Sequence, residues 1–349
     1  MNKKEAVYRS IKHISQDKFP TQVDYTPEMK QKIKTLLDID DNQVDNTLDN
    51  HIKYLPLNDK VVVDEINGIE YDIWGVGWDL VLTEGFHIRH HPLINSDDLT
   101  KFKISEPDDY LFEKMIDIGG KEKSDYFLLS LQDWTLFERC WLLRGFENAL
   151  TDLYFRKKEI NYLLDGITEF QVEVSKKVVR LGIVDGLRTG DDVGTQIGLL
   201  MSPDVWREFF KKRLKRIWEV YTDVNLPVFH HSCGNIMEII PDLIDIGLSV
   251  LTPIQPEAMN PLELSKRFGK KITFFGGIST QRTLPFGTPI DVRNEILDRI
   301  KILGEYNGYI IAPSHEITSD CKDENFLMLI STLKEYKNGL YRKCYLNCC

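Results

Sequence analysis

The sequence predicts an α/β protein, specifically a (β/α)8 TIM barrel with an N-terminal helical and β-hairpin extension. From about residue 125 onward, short apolar runs that favour strands alternate with longer amphipathic stretches that favour helices. This alternation is typical of parallel strands joined by crossover helices. The later runs also end in polar or glycine residues, and in a barrel all strand carboxyl ends meet at one mouth.

The residues that end five successive runs are separated by 22 to 40 residues, about the length of one strand–helix unit. They are Asp191 and Asp192, His231 and Cys233, Gln255, Gly277, and His315 with Glu316. An open doubly wound sheet would bring only a few of them together at its switch point. The regular spacing therefore favours the barrel, with these residues as candidates for its functional site.

We interpret residues 1–110 as a cap segment that packs on the barrel, residues 111–340 as the barrel, and residues 341–349 as a cysteine-containing tail. The cap is expected to contain helices and a hairpin, because Asn67-Gly68 lies between two β-prone runs. The tail holds Cys344, Cys348 and Cys349, and such terminal segments are rarely ordered. The whole chain is treated as one domain.

Composition excludes several classes of function. The 349 residues carry a formal net charge of −10, which disfavours nucleic acid and anionic membrane surfaces as partners. No apolar stretch approaches the roughly 18 residues of a membrane span, and the N-terminus does not resemble a signal peptide. We therefore expect a cytoplasmic protein with a small-molecule substrate, whose six unevenly spaced cysteines are reduced thiols.

The His231-Ser-Cys233 sequence is the most specific local feature. Residues two apart on a strand face the same side, so the imidazole and the thiol can bind one metal ion such as Zn²⁺. A catalytic zinc site needs a third protein ligand. His315 is the natural candidate and Cys321 is its rival, while the alternative interpretation is a packed histidine beside an inert thiol.

The Asp191-Asp192 pair and Glu316 each allow two interpretations. Neighbouring residues in an extended chain point to opposite sides, so one aspartate faces the cavity as a base or substrate contact. The other caps the following helix or turn. Glu316 either tunes His315 or faces solvent. By the same alternation, His230 is expected to point away from His231 into the core.

Six motifs together resemble the uroporphyrinogen decarboxylase (URO-D) superfamily. They are Gly190-Asp-Asp-Val-Gly-Thr-Gln, Phe229-His-His-Ser-Cys-Gly, Pro253-Ile-Gln-Pro, Phe275-Gly-Gly-Ile-Ser-Thr-Gln, Leu284-Pro-Phe-Gly-Thr-Pro and Ala312-Pro-Ser-His-Glu-Ile. The resemblance extends over nearly the whole chain. It implies a (β/α)8 barrel whose active site lies at the carboxyl ends of the strands.

Within the superfamily, the chain is more similar to the corrinoid- and zinc-dependent methyltransferases than to true decarboxylases. The former share the His-x-Cys-Gly element, whose His and Cys bind zinc, with a later cysteine at the position of His315 here. True decarboxylases have an arginine-rich N-terminal segment that receives the carboxylates of the tetrapyrrole, whereas Arg9 is the single arginine of the first 85 residues here.

The resemblance implies a methyltransferase that moves a methyl group to or from a corrinoid carrier, a thiol or a small methylated substrate. Zinc would be bound by His231, Cys233 and His315, and cobalamin would arrive on a separate corrinoid protein. His315 and Asp192 are the expected catalytic residues. The expected substrate contacts are Asp191, Gln255, Gly277 and Glu316. A decarboxylase without cofactor and a non-catalytic partner of a corrinoid protein are the alternatives.

Overall fold

The structure is a computed structural model that describes residues 1–81, 87–122 and 125–339. The predicted tail of residues 341–349 lies outside the described residues. The helices are α1 (Lys3–Ile11), α2 (Pro27–Leu37), α3 (Val44–Thr47), α4 (Glu113–Glu122), α5 (Phe137–Arg144), α6 (Phe146–Phe155), α7 (Lys157–Leu181), α8 (Pro203–Trp206), α9 (Lys212–Thr222), α10 (Ile240–Asp245), α11 (Pro261–Phe268), α12 (Thr283–Phe286), α13 (Pro289–Leu303) and α14 (Asp323–Lys337). A single π-helical turn, Arg207–Lys211, joins α8 to α9.

The strands form two sheets. They are β1 (Ile52–Leu55), β2 (Lys60–Asp64), β3 (Ile69–Asp72), β4 (Gly77–Asp79), β5 (Ile88–His90), β6 (Phe127–Gln132), β7 (Gly186–Gly190), β8 (Val228–His231), β9 (Leu248–Ile254), β10 (Thr273–Ile278) and β11 (Tyr309–Pro313). Over the described residues, the larger sheet has seven strands in the order β1-β6-β7-β8-β9-β10-β11. The smaller sheet has the order β2-β3-β4-β5 and is antiparallel.

The larger sheet confirms the predicted α/β class. The pairs β6·β7, β7·β8, β9·β10 and β10·β11 are parallel. All residues of β10 and β11 are buried, as expected when helices cover both faces of a parallel sheet. The extended segment around Thr21 forms a parallel bridge to Ile311, and the amide of His51, just before β1, donates to the Thr21 carbonyl. Because this segment is not a regular strand, an eight-stranded barrel stays a prediction.

The predicted hairpin is present as β2 and β3. Asp64 pairs with Ile69, so residues 65–68 form the connection. Gly68 has φ +65°, a conformation that glycine adopts without strain. The Asp64 carboxylate accepts a hydrogen bond from the Asn67 amide at 3.1 Å. The turn is therefore four residues long rather than the two-residue type that the Asn-Gly sequence alone suggests.

The chain divides into two compact units. The first comprises Met1–Ile52, Asp125–Phe127 and the described residues from Val250 onward, and it contains β10, β11 and α11 to α14. The second comprises Lys53–Ser124 and Leu128–Ser249, and it contains the antiparallel sheet, β7, β8 and α4 to α10. The predicted boundary at residue 110 stays a prediction.

The long helix α7 shows how local sequence sets these elements. Its buried side chains recur every three or four residues, as a helix with one apolar face requires. They include Ile160, Leu163, Leu164 and Ile167. The helix ends at Gly182, which has φ +63° in the left-handed region. None of the helices in the described ranges is long and apolar enough to cross a membrane.

Candidate metal and substrate site

Two glycines bring the loops after β7 and β8 into contact. Asp191 follows β7 directly, and the strand register pairs Gly190 with His231, the last residue of β8. A Cβ on Gly194 would stand 2.6 Å from the Cys233 carbonyl oxygen, and one on Gly234 would stand 2.5 Å from the Gly194 carbonyl carbon. Neither position has room for a side chain. Glycine at both positions therefore permits the approach that aligns the Asp191-Asp192 loop with Cys233.

His231 and Cys233 lie side by side, as the strand alternation predicts. The His231 Nε2 atom is 3.6 Å from the Cys233 Sγ atom. Asp192 Oδ1 accepts a hydrogen bond from the Cys233 amide at 2.7 Å and is 3.9 Å from His231 Nε2. Burial, together with the nearby Asp192 and Glu138, raises the pKa of the Cys233 thiol above its ordinary value. Without a bound metal ion, the Cys233 side chain is therefore a protonated thiol at neutral pH.

Arg188, which sequence reasoning did not single out, is the basic residue next to this pair. It lies on β7 and extends one NH2 group to within 3.1 Å of His231 Nδ1. The same NH2 group is 3.4 Å from Asp133 Oδ2, and the guanidinium carbon is 5.2 Å from the centre of the Tyr54 ring. These contacts leave only 18% of the arginine side chain exposed.

The two aspartates have different surroundings, and the helix that Asp191 caps is α5, which precedes it in the chain, rather than the predicted following helix or turn. Asp191 is buried, and its Oδ1 and Oδ2 atoms accept hydrogen bonds from the Leu136 amide at 3.0 Å. Oδ1 also accepts from the Glu138 amide at 2.9 Å, so the carboxylate caps the start of α5. Burial raises its pKa to about 7. Asp192 is the more accessible of the two, with 40% of its side chain exposed.

Glu138 is a further acidic residue at this site that the sequence interpretation missed. It lies in the first turn of α5 and is buried. Burial raises its pKa well above the ordinary value, and the nearby Asp192, Asp191 and Asp133 raise it further. The sequence held a signal for this strand end but not for Glu138 itself, because the residue that directly follows β6 is Asp133. The raised pKa therefore favours the protonated form of the Glu138 carboxyl group, which can donate a hydrogen bond.

The other candidates belong to the first unit and also occupy strand carboxyl ends. His315 and Glu316 lie just after β11 and are exposed, whereas Gln255 follows β9 and is buried. Gly277, on β10, has φ +99°, and its carbonyl oxygen accepts a hydrogen bond from Arg299 Nε at 3.0 Å. Since a Cβ there would stand 2.9 Å from the Leu303 side chain, packing accounts for the glycine without a ligand.

Cys321, the rival third ligand, is a buried thiol. Burial raises its pKa to about 11. Its Sγ atom is 3.7 Å from the Lys322 carbonyl oxygen.

Comparison with known proteins identifies a matching family and a solved structure with a similar fold. A model of the uroporphyrinogen decarboxylase (URO-D) family matches residues 133–336, more than half of the chain. A methyltransferase from Methanosarcina mazei aligns with a TM-score of 0.73 and 18% identity over 97% of this chain and 99% of its own. At that identity the likeness is one of fold.

A B12-independent methionine synthase from Shewanella sp. W3-18-1 aligns with a TM-score of 0.45 and 12% identity, over 66% of this chain and 67% of its own. A comparison with curated proteins finds no significant match.

Proposed function

The chain belongs to the uroporphyrinogen decarboxylase family, and from that premise we propose that it is a zinc-dependent methyltransferase with His231, Cys233 and His315 as metal ligands. It would transfer a methyl group to or from a corrinoid carrier, a thiol or another small methylated substrate. A separate corrinoid protein would carry the cobalamin. The fold shared with a methyltransferase from Methanosarcina mazei is compatible with this activity.

The spacing of potential ligand atoms carries the proposal. Of the three proposed ligands, His231 offers a nitrogen atom and Cys233 a sulfur atom side by side at the carboxyl end of β8. Nitrogen and sulfur ligands at about 2.1 and 2.3 Å from a tetrahedral zinc stand about 3.6 Å apart, which is the separation of His231 Nε2 and Cys233 Sγ. The two histidines and one cysteine are a donor set that suits zinc, with a fourth position for substrate.

The surrounding residues suit this chemistry. When bound, zinc would keep a thiolate deprotonated at neutral pH or polarise a methyl-donor oxygen. The Asp192 carboxylate fixes the Cys233 backbone by accepting a hydrogen bond from the Cys233 amide. The Asp192 side chain is also exposed enough to contact a substrate. The raised pKa of Glu138 favours a protonated carboxyl group near Asp192. We propose that Asp192 and Gln255 position the substrate, with His315 and Asp192 as the catalytic residues.

A decarboxylase acting on a tetrapyrrole is the second candidate, because the family model carries that name. The charges near His231 disfavour it. Asp133 and Asp192 are carboxylates that lie close to His231, and the nearby Arg188 already pairs with Asp133. Recognition of several carboxylates ordinarily uses a cluster of arginines.

Metal analysis tests the proposal directly. Purified protein is expected to contain close to one equivalent of zinc, and less than about half an equivalent after incubation with zinc would contradict it. His231→Ala, Cys233→Ser and His315→Ala should each lower the zinc content. Cys321→Ser is the matched control, because the rival assignment predicts loss of zinc in that variant and the present one predicts none.

Activity is measured separately with methylcobalamin and 2-mercaptoethanol, by following the cobalamin spectrum. Wild-type protein should demethylate methylcobalamin, and the His231→Ala variant should lose at least about a hundredfold in rate, as expected when a metal ligand is removed. Equal rates in the two proteins would exclude this site from the reaction. Zinc binding without any turnover would favour the non-catalytic partner.

A further inference from the structure

Arg188 contacts His231 through a side-chain hydrogen bond. We propose that Arg188 is a positioning residue, and that this hydrogen bond must break before His231 can bind a metal ion. The inference rests on the proposed metal site. It concerns how that site is assembled, and its first test needs no metal at all.

The argument begins with the direction of one hydrogen bond. The Arg188 NH2 group lies 3.1 Å from His231 Nδ1. A guanidinium group only donates hydrogen bonds and does not lose its proton in proteins. His231 Nδ1 must therefore accept through its lone pair, and the proton of the neutral imidazole resides on Nε2.

The Nε2 proton points toward the proposed ligand set. Nε2 is 3.6 Å from Cys233 Sγ and 3.9 Å from Asp192 Oδ1, both of which can accept a hydrogen bond. A metal ion needs a free lone pair on one imidazole nitrogen. In this arrangement Arg188 engages the lone pair of Nδ1, and Nε2 carries the proton, so neither nitrogen is available.

Binding of a metal through Nε2 requires the other tautomer. The neutral ring loses its Nε2 proton to solvent and gains one at Nδ1, so its charge does not change. An Nδ1–H group cannot remain 3.1 Å from a second donor, because the two hydrogens would repel each other. A metal-bound histidine ordinarily donates its other N–H to an acceptor such as a carboxylate. Arg188 must therefore move away.

Asp133 gives Arg188 an alternative partner. Its Oδ2 atom is 3.4 Å from the same NH2 group, and the Tyr54 ring lies beneath the guanidinium. A charged arginine that leaves His231 therefore keeps an ion pair and a cation–π contact. We infer that Arg188 alternates between His231 in the metal-free protein and Asp133 in the metal-bound protein.

The first experiment reads the tautomer. Metal-free protein labelled with ¹⁵N-histidine is analysed by long-range ¹H–¹⁵N correlation, and the His231 signals are assigned from their absence in His231→Gln. The expected result is the Nε2–H tautomer in wild type and the Nδ1–H tautomer in Arg188→Gln, whose amide oxygen can accept from Nδ1. An Nδ1–H tautomer in wild-type protein overturns the inference.

The second experiment measures zinc affinity by competition with a chelator at fixed pH. Arg188→Gln should bind zinc at least about tenfold more tightly than wild type, the size of effect typical for partners of metal ligands. Arg188→Lys keeps a charged donor and should stay close to wild type. Arg267→Gln is the control for loss of a positive charge, since Arg267 is an exposed residue paired with Glu263.

The outcomes separate the two proposals. If wild type binds no zinc, the proposed function fails, while the tautomer measurement still decides the role of Arg188. If wild type binds zinc and Arg188→Gln binds it with equal or lower affinity, the metal site stands and the inference about Arg188 falls.

Discussion

Three histidines show how neighbours decide what one residue type does. His230 is buried against the Trp218 ring, its Nδ1 lies 2.9 Å from Thr189 Oγ1, and burial lowers its pKa to about 3. The predicted core position of His230 is therefore confirmed. His231 points the other way and contacts Cys233, whereas His51 is buried beside Lys337. Strand alternation predicts the different environments of His230 and His231, but nothing in the local sequence predicts that His51 is buried.

His51 should make the protein sensitive to acid. Burial, helped by the charge of Lys337, lowers its pKa to about 4 from the ordinary 6.5. Between these values the unfolded chain binds a proton that the folded chain does not, so stability falls as the pH drops through this window. The free energy of unfolding should be lower at pH 5 than at pH 7.5 by about 2 kcal/mol from this residue alone.

Urea denaturation at the two pH values tests this effect. His51→Gln should reduce the difference between pH 5 and pH 7.5 by about 2 kcal/mol. His90→Gln, at an exposed strand position, should leave the difference unchanged. A His51→Gln protein with the full wild-type pH dependence would show that His51 is not the responsible group.

Replacement of Asp191 and of Asp192 by alanine should lower the free energy of unfolding by different amounts. Asp191→Ala leaves the buried amides of Leu136 and Glu138 without their acceptor, so we expect the free energy of unfolding to fall by about 2–4 kcal/mol. Asp192→Ala should cost about 1 kcal/mol or less, because its carboxylate is partly exposed, yet it should lower activity. Equal losses of stability in the two variants would contradict this division of roles.

At the scale of elements, apolar runs in the sequence predicted the strands that carry the site. The runs that start at Pro227 and Tyr309 contain β8 and β11, and the polar residues at their ends stand where parallel strands end. Glu138 was missed because a glutamate in an amphipathic helix ordinarily faces water. The acidic neighbours that make Glu138 unusual come from the segments after β6 and β7, and the periodicity of one helix does not contain that information.

The antiparallel sheet is attached to α5 by a buried ion pair. Arg139 NH1 is 2.9 Å from Asp72 Oδ2, and both side chains are almost fully buried. Asp72 also accepts from the amides of Trp74 and Val76, which fixes the turn between β3 and β4. Arg139→Met leaves the aspartate charge buried without its partner, and we expect a loss of about 3–5 kcal/mol in the free energy of unfolding.

A double-mutant cycle measured by urea denaturation tests the Arg139–Asp72 ion pair. Asp72→Asn combined with Arg139→Met should cost less than the sum of the two single changes, because the second change removes the charge that the first left uncompensated. Additive losses would mean that the two residues act independently. Arg267→Met, on an exposed helix surface, should change stability by no more than about 0.5 kcal/mol.

For the whole molecule, the predicted α/β fold class is confirmed, whereas the predicted number of eight barrel strands stays a prediction. Regular alternation of strands and helices suffices for a parallel α/β sheet. By contrast, whether the segment around Thr21 pairs as a strand depends on contacts with β11, almost 300 residues away. The proposed third metal ligand raises the same problem, because His315 lies 84 residues beyond His231 in the sequence. Spacing alone did not choose between it and Cys321.

The charge of the whole chain leads to a prediction that separates the two candidate reactions. A tetrapyrrole with eight carboxylates must approach a protein of net charge −10 whose first 85 residues contain one arginine. Like charges slow association and weaken binding most strongly at low ionic strength. We therefore expect a fluorescence titration with uroporphyrin at low salt to give a dissociation constant weaker than about 100 μM, equivalent to less than about 5.5 kcal/mol of binding free energy. If binding occurs at all, added salt should strengthen it by screening the repulsion. Micromolar binding that weakens with added salt would require a basic site for carboxylates and would favour the decarboxylase over the methyltransferase.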